Sequence, residues 1–122
     1  MLIFPGKDVT SEQPQLMEDI DLRMNPERLP PLEVLKQAIP VGNEVFGSDF
    51  LAGGDTFYLY YEHPVLQRRK KLFVVHKDDL LSFLNAKIKP DRMEGLDVTV
   101  ADPELRRFLI CNHDGEMYLL SR

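Results

Sequence analysis

Cys111 and His113 stand two residues apart near the end of the chain. A thiol becomes a nucleophile when a nearby base takes its proton, so this pair raises the question of covalent catalysis. The surrounding Phe108-Leu-Ile-Cys-Asn112 reads as a strand. Alternate strand residues share a face but lie about 6.5–7 Å apart along the backbone, beyond easy hydrogen bonding. A cysteine in such a run is expected to pack as a small hydrophobe. The pair is also half a zinc site at most, because neither His63 nor His76 completes a recognised spacing. His113, Asp114 and Glu116 could face a hard cation, yet Asp114-Gly115 is already explained by turn geometry. The expectation is no metal and no cofactor.

Gly42-Asn-Glu-Val-Phe-Gly47-Ser48-Asp49 has the glycine spacing of a phosphate-binding loop but lacks its lysine, and Glu44 and Asp49 would repel phosphates. No Gly-x-Ser-x-Gly or His-Glu-x-x-His motif is present. The residue inventory therefore predicts a protein that is not an enzyme. Arg68-Arg69-Lys70-Lys71 is the only basic cluster, and Tyr58, Tyr60 and Tyr61 on a neighbouring strand could give it stacking rings for nucleic acid. The bland reading, a solvated hairpin tip, is favoured because acidity elsewhere opposes a polyanion.

That acidity is uneven. Residues 1–62 carry eleven Asp/Glu against four Lys/Arg (−7), and residues 63–122 carry nine against eleven (+2). An acidic front suits a cationic partner. With 122 residues and 43% apolar content, a single domain over 1–122 should bury roughly two-thirds of its unfolded surface. One cysteine excludes an internal disulfide and fits a reducing compartment. No basic leader with an apolar core and no apolar run of membrane-spanning length is present, so a cytoplasmic location is expected, with no membrane partner.

These residues must be positioned by short elements. Six of the nine prolines fall in residues 1–40, predicting a Pro-rich front of short helices ahead of a sheet core over 56–122. Ser11 is a candidate cap for a helix to about Arg23, with Leu16, Ile20 and Met24 as its buried stripe. Pro31 suits the first turn of a second helix, with Leu32, Leu35 and Ile39 inward and Pro40 as its stop. Residues 41–55 read as a long loop pinned by Val45-Phe46 and Phe50-Leu51, and such loops are often functional.

Beyond Thr56, Phe57, Leu59 and Tyr61 alternate with Tyr58, Tyr60 and Glu62 as a strand, and Leu72-Phe-Val-Val75 is a second. Asp78 would cap a helix carrying Leu80, Leu81, Leu84 and Ile88 inward, and residues 96–100 give a third strand. The last two form a hairpin around a two-residue Asp114-Gly115 turn, pairing Cys111 with Tyr118 and Ile110 with Leu119. Both faces of that hairpin are apolar, so it belongs inside the sheet. The predicted class is α+β: an antiparallel sheet of about five strands, short helices packed on one side, and N-terminal helices preceding the sheet.

In Asp55-Thr-Phe-Tyr-Leu-Tyr-Tyr-Glu62 and in the closing Asp102-Pro-Glu-Leu-Arg-Arg-Phe-Leu-Ile-Cys-Asn-His-Asp-Gly-Glu116, the chain resembles the small immunity proteins that accompany bacterial polymorphic or secreted toxins. The likeness covers residues 40–122 at most. It implies a stoichiometric inhibitor without an active site, bound to a cognate, basic toxin domain. On that reading Asp19, Asp21, Glu44, Asp49 and Asp55 lead the contact, with Phe46 or Phe50 as an apolar anchor.

Overall fold

The structure is a computed structural model that describes residues 4–42, 44–45, 49–52, 54–62, 70–87, 97–112 and 116–122, with backbone alone at 49, 52, 86, 87 and 97. In chain order its elements are β1 (Lys7–Asp8), α1 (Pro14–Met24), α2 (Pro31–Leu35), β2 (Ile39–Val41) and α3 (Asp49–Ala52). There follow β3 (Thr56–Glu62), β4 (Lys70–His76), α4 (Lys77–Lys87), β5 (Asp97–Ala101), β6 (Arg107–Cys111) and β7 (Met117–Ser121). The strands form one antiparallel sheet in the order β1-β4-β3-β5-β6-β7-β2. The fold is α+β.

Seven strands replace the expected five. The two additional ones come from the proline-rich front, which supplies both edges of the sheet. β1 pairs with β4, placing Lys7 opposite Val74, and β2 pairs with β7, placing Ile39 opposite Leu119. The N-terminal helices thus do not simply precede the sheet, because β1 comes before them. Pro40 sits in the middle of β2, tolerable because an edge strand needs no donor on its outer side. Two or three residues are too few for a period to register in the sequence.

Helices cover both faces, not one. Ile20 of α1 and Val34 of α2 pack with Tyr60, Leu72, Ala101, Phe108 and Leu120. On the opposite face, Phe50 and Leu51 of α3 and Leu80, Phe83 and Leu84 of α4 pack with Phe57, Leu59, Val75, Val100 and Leu109. The strands dictate this three-layer arrangement. Runs such as Phe57-Tyr-Leu-Tyr60 and Leu72-Phe-Val-Val75 send apolar groups both ways, and each face needs cover. β4 and β5 flank β3 on either side and run in one direction, so α4 crosses over the sheet to connect them.

The terminal hairpin is offset by one residue from the expected pairing. Cys111 faces Met117 and Ile110 faces Tyr118, with Asn112 and Glu116 closing the ladder. The Asn112 side chain is the reason. Its Oδ1 accepts the Glu116 N–H at 3.0 Å and its Nδ2 donates to Glu116 Oε1 at 3.0 Å, leaving three residues for the connection. A shift of one residue sends every β7 side chain to the other face. Leu109, Cys111, Met117 and Leu119 therefore share one layer, and Leu120 joins Phe108 in the other.

Smaller corrections follow from packing. α1 begins at Pro14 behind Gln13, with no side-chain cap from Ser11, because Val9 O already accepts the N–H groups of Glu12 and Gln13. In α2, Val34 is the buried residue, while Leu32 (74%) and Ile39 (68%) are exposed. α2 is a single turn whose direction is set by the chain swinging into β2, so its inward side cannot be read from spacing. In α4, Leu80 and Leu84 are buried as expected, joined by Phe83, and Ile88 lies outside the described residues.

Candidate functional site

The expected contact residues do not form one patch. Asp19 and Asp21 lie on α1, over the face that carries Tyr60 and Phe108. Phe50 lies on the opposite face and is 1% exposed, packed 5.6 Å from the Phe57 ring with the Arg107 guanidinium 5.6 Å from its own centroid. Phe50 is a core residue and cannot serve as a partner's anchor. Phe46 lies outside the described residues, as does the Asp49 side chain. Asp55 is exposed at the start of β3, where its carbonyl accepts the Lys77 N–H at 2.8 Å. Glu44 follows the far end of β2 and is also exposed; its Oε1 accepts the Gly42 N–H at 2.9 Å, which holds its carboxyl below the ordinary value.

The basic cluster is divided too. Arg68 and Arg69 lie outside the described residues. Lys70 sits 3.6 Å from Asp21 Oδ2, and Lys71 is exposed. The tyrosines are not a stacking platform. Tyr60 is buried beneath α1, Tyr58 is half-buried in the same layer, and Tyr61 packs on the other face with its ring 4.8 Å from Phe4. Alternation along β3 sets Tyr61 on the face opposite Tyr58 and Tyr60.

What emerges is the outer face of α1. Pro14 starts the helix with φ already set, and Asn25 ends it. Ile20 is fully buried, and Leu16, Met17 and Met24 flank it against the sheet. At 100° per residue the opposite side holds Gln15, Glu18, Asp19 and Leu22. Leu22 is 37% exposed, with Glu18 and Asp19 one turn before it on the same side. Three carboxylates in residues 18–21 face a single helical cation, Arg23.

Polar contacts fix this face in place. Asp21 accepts from the Tyr60 hydroxyl at 3.1 Å and meets Lys70, tying the helix to β3 and β4. Burial, then the negative charge of Asp21, raises the Tyr60 phenol well above its ordinary value, so it stays a donor. Asp19 accepts from Gln15 at 2.9 Å, and Glu18 pairs with Arg28 at 3.2 Å. At the helix end, Arg122 donates to Met24 O through Nε and Nη2 at 3.2 and 2.7 Å, satisfying a carbonyl that the helix leaves free. Sequence reading missed Leu22 because the four-residue stripe drew attention to the buried side. Its place directly opposite Ile20 was the available signal.

Cys111 is fully buried among apolar neighbours, and burial pushes its thiol up to about 12. A thiol so held is a poor nucleophile. Among the described residues no cluster of His, Cys, Asp or Glu has the arrangement to hold a metal ion, and no helix is long and apolar enough to cross a membrane. Comparison with known proteins gives no match to any family model, curated protein or solved structure.

Proposed function

We propose that this is a non-enzymatic acidic binding protein, an immunity or antitoxin-type inhibitor that acts in the bacterial cytoplasm and neutralises a cognate toxin with a basic surface. The observation that carries the reading is the outer face of α1: an exposed leucine bordered by Glu18 and Asp19 on a helix bound firmly to a seven-stranded sheet. A helix held this way loses little conformational entropy on docking. Its carboxylates speed encounter with a cationic partner through complementary fields, and the leucine offers an apolar contact that water can leave. On this reading Asp19 belongs to the contact, Asp21 positions the helix through Tyr60 and Lys70, and Leu22 takes the place of Phe50 as the anchor.

The test is co-expression with the product of the neighbouring gene, followed by size-exclusion chromatography. A stable complex is expected, together with relief of that product's toxicity. A Leu22→Asp variant that folds normally should weaken the complex by about 10–100-fold, as loss of a central contact does. Separate elution of the two wild-type proteins, or a Leu22→Asp complex of undiminished affinity, counts against the reading.

A further inference from the structure

Of the five arginines among the described residues, four meet at one corner of the sheet: Arg23, Arg106, Arg107 and Arg122. The corner is built by the tight connection from β5 to β6. Asp102 is buried there, and its Oδ1 accepts the N–H groups of Arg106 at 2.7 Å and Arg107 at 2.9 Å. Its backbone accepts from Leu105 at 3.0 Å, and Leu105 takes a left-handed φ of 56°. The Arg122 N–H donates to Arg106 O at 2.7 Å, so the end of β7 is locked against the same turn.

Between them lies a concavity of about 390 Å³ lined by Arg106, Arg107, Arg122, Ser121, Asp102, Glu104 and the ring of Pro103. Each guanidinium has a fixed bearing. Arg107 lies over Phe50, Arg122 caps α1, and Arg106 meets Glu104 at 3.3 Å in an exposed pair. Arg23 reaches the back of the turn, its Nε 3.4 Å from Leu105 O. The charge of Asp102 is turned toward backbone donors and Glu104 pairs with Arg106, within a lining that holds three arginines and two side-chain carboxylates. Positive charge gathered in this way is unusual on a chain of net charge −5.

We propose that this concavity binds a diphosphate group. Guanidinium groups pair with phosphate oxygens two at a time, the exposed Arg106 fork can turn from Glu104 to a ligand, and three arginines around one space suit a multivalent anion better than a monovalent one. The volume falls in the range of small-ligand sites, and five of the seven lining residues are charged, which favours an anion over an apolar ligand. The Ser121 hydroxyl adds a neutral donor. The inference goes beyond the inhibitor reading and does not depend on it.

Isothermal titration of the full chain with inorganic pyrophosphate in dilute buffer tests it, with ADP and sulfate as comparisons. Saturable one-to-one binding of pyrophosphate is expected, weakening about tenfold in Arg106→Gln and less in Arg106→Lys, which keeps charge without the fork. Glu104→Gln should bind more tightly than the wild type, a gain that misfolding cannot imitate. ADP binding more tightly than pyrophosphate would identify a nucleotide as the source of the diphosphate, and equal affinity would identify the diphosphate alone. Sulfate equal to pyrophosphate, no saturation, or an Arg106→Gln protein that binds as the wild type does would overturn the proposal.

Discussion

At the scale of single residues, environment decides what chemistry a side chain keeps. Cys111 is raised to about 12 by burial alone, so at pH 8 on the order of one thiol in ten thousand is ionised. A charged thiol reagent should leave the folded protein unlabelled over an hour and label it fully in denaturant; rapid labelling of the native state would reveal an access route to that layer. Tyr60 gives a pH prediction. An unfolded tyrosine ionises near about 10, whereas the folded one holds its proton to higher pH because burial and Asp21 disfavour the phenolate. The unfolded state therefore binds fewer protons above pH ~10, and stability falls as pH rises past it. Tyr60→Phe should lose about 1.5–3 kcal/mol at neutral pH, the worth of a hydrogen bond to a carboxylate, while flattening the alkaline decline. Urea denaturation at pH 7 and pH 11 checks both signs.

Elements show where local signals suffice. β3 and α4 were legible from their spacing, alternation in Phe57–Glu62 and apolar groups at Leu80 and Leu84, and β4 as a short unbroken apolar run between polar segments. α1 was legible through Ile20, which anchors the helix at full burial. Ile20→Ala should cost about 2–4 kcal/mol by transfer and cavity terms. Because α1 carries Glu18, Asp19 and Leu22, the same substitution should raise amide exchange along residues 14–24 before the rest of the sheet, and uniform exchange across the chain would show that α1 is not separable. The hairpin register was not legible. Asp-Gly is a strong turn signal, but the Asn112 side chain bound to Glu116 fixes a wider closure, and spacing alone does not weigh one hydrogen-bond pair against another.

For the molecule as a whole, the decisive fact is that the front of the chain completes the sheet made by its back. Residues 7–8 and 39–41 cover the two outer strands, and α1 and α2 cover the layer of Leu72, Phe108 and Leu120. A fragment of residues 56–122 would expose that apolar layer together with two open strand edges, a combination that drives association. It should elute as large aggregates from size-exclusion chromatography, while the full chain elutes as a discrete species; a monomeric fragment that unfolds cooperatively would contradict this. Charge also acts at this scale, since a face repels or attracts as the sum of its elements. The acidic outer side of α1 and the arginine corner at its C-terminal end are neighbours in space although residues 18 and 122 are remote in sequence.

The sequence by itself determined the class, the identity of the long strands, the helix after His76 and the buried fate of Cys111. All of these rest on composition and on periods contained within a dozen residues. Tertiary structure alone decided which half-buried faces meet, that two- and three-residue segments become edge strands, that Phe50 turns inward while Leu22 turns outward, and that Arg106, Arg107 and Arg122 share one concavity. The physical reason is that such choices minimise exposed apolar area and unpaired backbone over the entire chain, a condition that no local window contains.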